Sequence, residues 1–225
     1  LAEEIYRKYE RLPSLIVAEG NPAQRIANRL KLMADQPTRV LAVNTSQNAL
    51  QGYSKAQLYN IPKSLEAIVQ VMPGLETLYV IAPASRALEV QDLWDFDYSE
   101  RFDLELLDET VSPEEIVDRL SQSEPNSAVF WLGRPSSLLA TEGLPVRIIK
   151  QIADLEIVPV FGMQSSLHKA GGTGGFVMNA ELLWRNIARL TYDLGIDETV
   201  PASELQFDYL QAEHWGFELD NLATT

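Results

Sequence analysis

Short apolar runs alternating with segments of helical period are the feature that most constrains this chain. Leu15–Ala18, Arg39–Val43, Leu78–Ile81, Leu104–Leu107, Ala128–Leu132 and Val158–Phe161 read as buried strands bounded by turn residues. Helical spacing fills the intervals, with Ile5 and Tyr9 in an opening helix over Leu1–Arg11. Ile26, Leu30 and Met33 follow Pro22, and Leu65, Ile68, Val69 and Met72 follow Pro62. Further helices are expected near Ala87–Phe96 and over Ser112–Ser121, Pro145–Ala153 and Ala180–Leu194. Ser112-Pro113-Glu114-Glu115 carries a capping hydroxyl, a first-turn proline and a capping-box glutamate. Strands that alternate with helices imply a parallel sheet covered on both faces.

Seven or so strands suit one sheet or two smaller ones. The irregular stretch Gln47–Asn60 and the loop after Phe161 are the natural crossing points, which favours two Rossmann-like lobes joined by a hinge. The expected division is a first lobe of residues 1–58 with 163–200, a second lobe of 59–162, and a closing segment of 201–225. With 225 residues and 46% hydrophobic content, the chain can bury that much core. Its formal charge of −14 argues against nucleic acid and anionic membrane surfaces, both of which call for a basic face. The absence of cysteine removes disulfides and thiolate chemistry. No apolar run reaches transmembrane length, and Leu1-Ala-Glu-Glu does not begin like a signal peptide. Any export signal or anchor is therefore expected upstream.

In an open α/β sheet, ligands sit beyond the carboxyl ends of the strands. The loops there begin at Glu19-Gly20-Asn21, Asn44-Thr45-Ser46, Pro83-Ala84-Ser85-Arg86, Gly133-Arg134-Pro135-Ser136 and Gly162-Met163-Gln164-Ser165. Asn21, Asn44, Ser85, Arg134 and Gln164 are the candidate ligand-binding side chains, and Gly175 the candidate for close backbone approach. Asn21 and Ser85 suit ordinary helix caps equally well. Arg134, directly after a strand, is preferred to Arg86 as a clamp for a carboxylate. Gly171–Gly175 lacks the Lys-Ser/Thr of a phosphate loop and reads better as a crossover needing positive φ. His168 and His214 stand alone, so neither a metal nor a cofactor is expected. No nucleophile elbow exists, and no enzyme activity is expected. Trp94, Phe96 and Phe102 read as core or lobe packing. Trp131 reads as core, with stacking on an apolar or aromatic solute as the alternative.

Three segments resemble a known family. Tyr59-Asn-Ile-Pro-Lys-Ser-Leu-Glu-Ala-Ile-Val, Met72-Pro-Gly and Leu78-Tyr-Val-Ile resemble the hinge-helix-strand entry of the type 1 periplasmic binding-protein fold. The likeness is to its ABC transporter substrate-binding-like family, also found in extracytoplasmic sensor regions of bacterial histidine kinases and diguanylate cyclases. Pro159-Val-Phe-Gly with Gly174-Gly-Phe-Val resembles that family's crossing back, and Leu210-Gln-Ala-Glu-His-Trp-Gly-Phe-Glu-Leu its closing helix and turn. Ser64 stands where the family usually has Thr, and Trp215-Gly216 where it has Leu-Gly. An opening strand and helix of the first lobe are not found. An incomplete lobe is expected to expose a sheet edge and promote pairing into a homodimer.

The resemblance implies a periplasmic or extracytoplasmic module, part of a membrane-anchored protein, that holds a small molecule between lobes and responds by hinge closure. A sensor feeding an output domain or membrane segment outside this sequence is favoured. The solute-binding component of an ABC transporter and an intracellular α/β enzyme stay open.

Overall fold

A computed structural model describes residues 1–9, 12–43, 54–56, 61–83, 90–91, 94–108, 110–133, 144–193, 203–219 and 222. The chain divides into two compact units, Leu1–Asn60 with Met178–Ser203, and Ile61–Val177 with Glu204–Thr225.

In the first unit, β1 (Leu15–Glu19), β2 (Arg39–Val43) and β3 (Ser54–Ala56) pair in parallel in chain order. Helix α1 (Ala2–Lys8) and α2 (Gly20–Met33) pack together through Ala2, Ile5, Tyr6, Ile26 and Leu30, reaching Leu12 and Ile16. Ala18, Ala27 and Val40 make a second small cluster. Helix α2 follows β1 without a loop, so Asn21 lies in its first turn and not in the strand-end loop expected from sequence.

The second unit has the larger sheet. Its strands β4 (Thr77–Ile81), β5 (Asp103–Leu107), β6 (Ser127–Trp131), β7 (Val160–Gly162), β8 (Gly174–Met178) and β9 (Ser203–Phe207) lie in the order β5-β4-β6-β7-β8-β9. Those from β4 to β8 run parallel, with Ile81 opposite both Leu107 and Trp131. One pleat face gathers Tyr79, Ile81, Leu107, Val129, Trp131 and Val160. It packs against Ile116 and Leu120 of α4 (Pro113–Ser121) and Ile148, Ile149 and Ile152 of α5 (Leu144–Asp154). The other face carries Leu78, Val80, Ala128, Phe130 and Phe161, each at 0% exposure. There Lys63 of α3 (Ile61–Val71) reaches over the Phe176 ring, and Phe161 meets Phe207 and Phe217. Burial on both faces is why these strands read as unbroken apolar runs. Each fully buried aliphatic side chain contributes about 1.5–3 kcal/mol.

Local signals hold at the helix ends. Ser112 Oγ accepts the Glu115 backbone N–H at 3.1 Å, capping α4 as its sequence predicts. Arg119 ties that helix to β5 through Glu105 at 2.6 Å, an exposed contact of at most about 1 kcal/mol. Helix α5 ends in a Schellman arrangement, with Glu156 N–H on Ala153 O and Ile157 N–H on Ile152 O. Glu156 takes the left-handed position there at φ 50°, where glycine is usual. Glu156→Gly is expected to raise stability by up to about 1 kcal/mol by relieving that strain. A lower unfolding midpoint in urea would show that the 3.8 Å contact of Glu156 with His214 outweighs it.

The glycine-rich stretch is a crossover, as its composition suggests. From the end of β7 the chain turns through Gln164–Leu167, forms a 3-10 turn at His168–Ala170, and leaves it at Gly171 with φ 93°. Thr173 N–H then bonds Val160 O at 2.7 Å, placing β8 beside β7. Residues 163–177 group with the second unit, and so does the chain from Glu204, where Asp208 N–H donates to Thr173 O. Only Met178–Ser203, including α6 (Ala180–Asp193), returns to the first unit. The helix expected near Ala87–Phe96 is, in its described part, helical at 90–91 and a π-helical turn at Trp94–Tyr98.

Candidate functional site

Parallel strands put all their carboxyl ends at one edge of the second sheet. From β4 the chain moves outward to β5, then recrosses to place β6 on the other side of β4. That reversal makes the gap between β4 and β6 the topological switch point, the place at which open α/β sheets ordinarily bind ligands.

At this point β4 continues into Ala82-Pro83 and β6 into Leu132-Gly133. Leu132 N–H donates to Ile81 O at 2.9 Å, and Ala82 N–H to Leu107 O at 3.3 Å, so the two strand ends stay in register past the sheet. Gly133 lies against Pro83, where an added Cβ would sit 3.4 Å from Pro83 Cδ. Ser85 and Arg134 follow these two strand ends in the sequence. Ser85, Arg134, Arg86 and Asn44 themselves lie outside the described residues.

Gln164 follows β7, the strand beside β6, and is half-buried, with its carbonyl accepting Leu167 N–H at 3.0 Å. Asn21 belongs to the first unit, in the opening turn of α2. Gly175 is buried within β8. A Cβ there would stand 2.5 Å from Gly162 O, so close packing of β7 on β8 accounts for this glycine. Trp131 is 2% exposed and part of the core cluster, which leaves no ring face for a solute.

Sequence reading missed Asp108. It follows β5 at the same edge, and its Oδ1 accepts Thr110 N–H at 2.9 Å and the Thr110 hydroxyl at 2.7 Å. The Thr110 backbone bond, then its hydroxyl, holds the carboxyl below its ordinary range. The signal was an Asp-x-Thr directly after a strand, a sequence suited to an Asx-turn.

The described part of this edge thus offers backbone groups, one amide side chain and one fixed carboxylate. Such groups can orient a small polar solute through hydrogen bonds. Among the described residues no group of three metal-ligating side chains gathers. His168 and His214 sit on separate elements, in the crossover and at the end of α7 (Tyr209–His214), and among the described residues neither is hydrogen-bonded to a hydroxyl.

No protein-family model matches the chain, and no curated protein matches it in sequence. Solved structures do resemble it. A conserved domain protein from Vibrio cholerae superposes with a TM-score of 0.68 at 12% identity, covering 98% of this chain and 79% of that one. A ligand-free, open substrate-binding protein with adhesive properties from Clostridium difficile gives 0.67 at 14% identity, covering 96% and 77%. An ABC domain from Streptococcus pneumoniae in complex with L-Trp gives 0.61 at 12% identity, covering 92% and 75%. An ABC transporter solute-binding protein from Agrobacterium vitis with bound allitol gives 0.56 at 16%, covering 95% and 81%. The chain has a periplasmic-binding-protein-like fold.

Proposed function

We propose that this protein binds a small polar solute at the carboxyl-end edge of its second sheet, as the extracytoplasmic sensor module of a bacterial signalling protein. The observation that carries the binding reading is the strand reversal between β4 and β6, after which Ser85 and Arg134 come next in the sequence. The fold supports it, since similar structures hold L-Trp and allitol. Hinge closure would be the readout, and it requires tighter binding to the closed form than to the open one. Ser85, Arg134 and Gln164 are the side chains of this unit assigned to the solute, with Asp108 added. Arg134 would take a carboxylate and Asp108 an ammonium, which favours a zwitterion.

No chemistry on the solute is proposed. Extracytoplasmic placement and a membrane anchor come with the resemblance; among the described residues no helix is long and apolar enough to cross a membrane. A transport role is the second reading, favoured by the substrate-binding proteins among the similar structures. A kinase or cyclase domain in the same polypeptide would decide for the sensor.

A thermal-shift screen against amino acids, organic acids, sugars and nucleosides tests the binding reading. A true ligand at a hundredfold excess over its Kd stabilises the native state by about 2.7 kcal/mol. Arg134→Ala is expected to weaken a carboxylate ligand about tenfold or more. An unresponsive panel with folded protein would count against the crevice, and an undiminished response in Arg134→Ala against the assigned clamp.

A further inference from the structure

At the opposite, amino-terminal end of the same sheet lies a groove of about 360 Å³, lined by Val69, Met72, Pro73, Leu75, Arg101 and Phe102. It is separated from the strand-end edge by the five-residue length of β4, about 17 Å. We propose that this groove is a second binding site, for a small apolar carboxylate such as an acyl or aryl acid.

The volume falls in the range of small-molecule sites, about 300–1,000 Å³, which are mostly apolar with a few placed polar groups. Here five of the six lining side chains are apolar, and the sixth is a guanidinium. Leu75 and Phe102 are buried and form the floor, and Arg101 is exposed at the rim. Arg29, Arg119 and Arg185 each hold a carboxylate of the protein. Arg101 pairs with none among the described residues, although the chain has 32 acidic side chains to 18 basic ones. Its guanidinium lies 5.8 Å from the centre of the Tyr98 ring.

The wall beneath it is set before any ligand arrives. Trp94–Tyr98 forms a π-helical turn, a geometry that concentrates at functional sites. Trp94 Nε1 donates to Phe102 O at 2.8 Å, the Tyr98 and Phe102 rings lie 5.7 Å apart, and Arg101 N–H donates to Tyr98 O at 2.8 Å. An exposed guanidinium beside an apolar floor can meet the carboxylate of a ligand whose apolar body fills the groove.

The chain has four methionines, Met33, Met72, Met163 and Met178, so methyl-labelled protein gives four probes. Titration of the whole chain with octanoate and 3-phenylpropionate is expected to shift Met72 saturably, with a Kd of about 1 mM or below. Met163, at the end of β7, should not move, which separates this site from the crevice. The corresponding amides, and the carboxylates on Arg101→Gln, should bind about tenfold or more weakly. Val69→Phe, which fills the groove from a half-buried position of α3, should abolish the Met72 shift. Equal binding of acid and amide, a response at Met163 alone, or no saturable shift would each overturn the proposal.

Discussion

Gly175→Ala is expected to destabilise the protein by about 3 kcal/mol or more, read as a lower urea midpoint. The new Cβ would stand 2.5 Å from Gly162 O, and both are backbone groups of paired strands. No side-chain rotation relieves such an overlap, so β8 would have to move off β7. The φ of +141° adds a conformation that L side chains rarely adopt. Gly74→Ala is the control, because nothing lies within 4 Å of its added Cβ, and it should stay within about 0.5 kcal/mol. An unchanged midpoint for Gly175→Ala would mean that the two strands are not this close. Ligand binding lost in this variant would report the sheet and not a contact with solute.

Trp131→Ala is expected to cost about 3–5 kcal/mol, the usual range for truncating a buried aromatic. The indole is 2% exposed, in a strand paired to β4 on one side and β7 on the other, and packed with residues of α4 and α5. A cavity of that size has rigid walls on every side and can collapse only in part. Trp131→Phe separates this from a stacking role. Core packing predicts lowered stability with solute affinity intact, whereas stacking predicts lost affinity with stability nearly unchanged.

Most of the fold was legible in the sequence because β4, β6 and β7 are buried on both faces and so leave apolar runs of strand length. Helix signals were as clear, down to the Ser112 cap. The strands that escaped notice did so for separate reasons. β8 begins Gly174-Gly175, since β9 crowds the first position and the backbone of β7 the second, and glycine reads as turn. β3 is three residues, Ser-Lys-Ala, too short to show a period. β9 does alternate, with Leu205 and Phe207 on one face, but Glu204 and Gln206 dilute the signal.

The strand-end location of the candidate site was also legible, since it needs only parallel strands. Which strands flank the switch point was not, because strand order is set by long-range pairing. Asp108 was hidden for another reason: in a chain this acidic, one carboxylate carries no sequence signal until its Thr110 bonds are seen.

The three passages of the chain between its units, at 60/61, 177/178 and 203/204, bear on how the protein emerges from a ribosome. Synthesis runs from the amino terminus, and domains ordinarily finish in that order. Here the first unit cannot be completed until Met178–Ser203 supplies α6, by which time the continuous stretch Ile61–Val177 has already been made. The second unit then waits only for β9 and α7 to cover the exposed flank of β8. A nascent chain stalled near residue 177 would therefore carry an unfinished first unit and an open strand edge, the combination that most invites chaperone capture or aggregation.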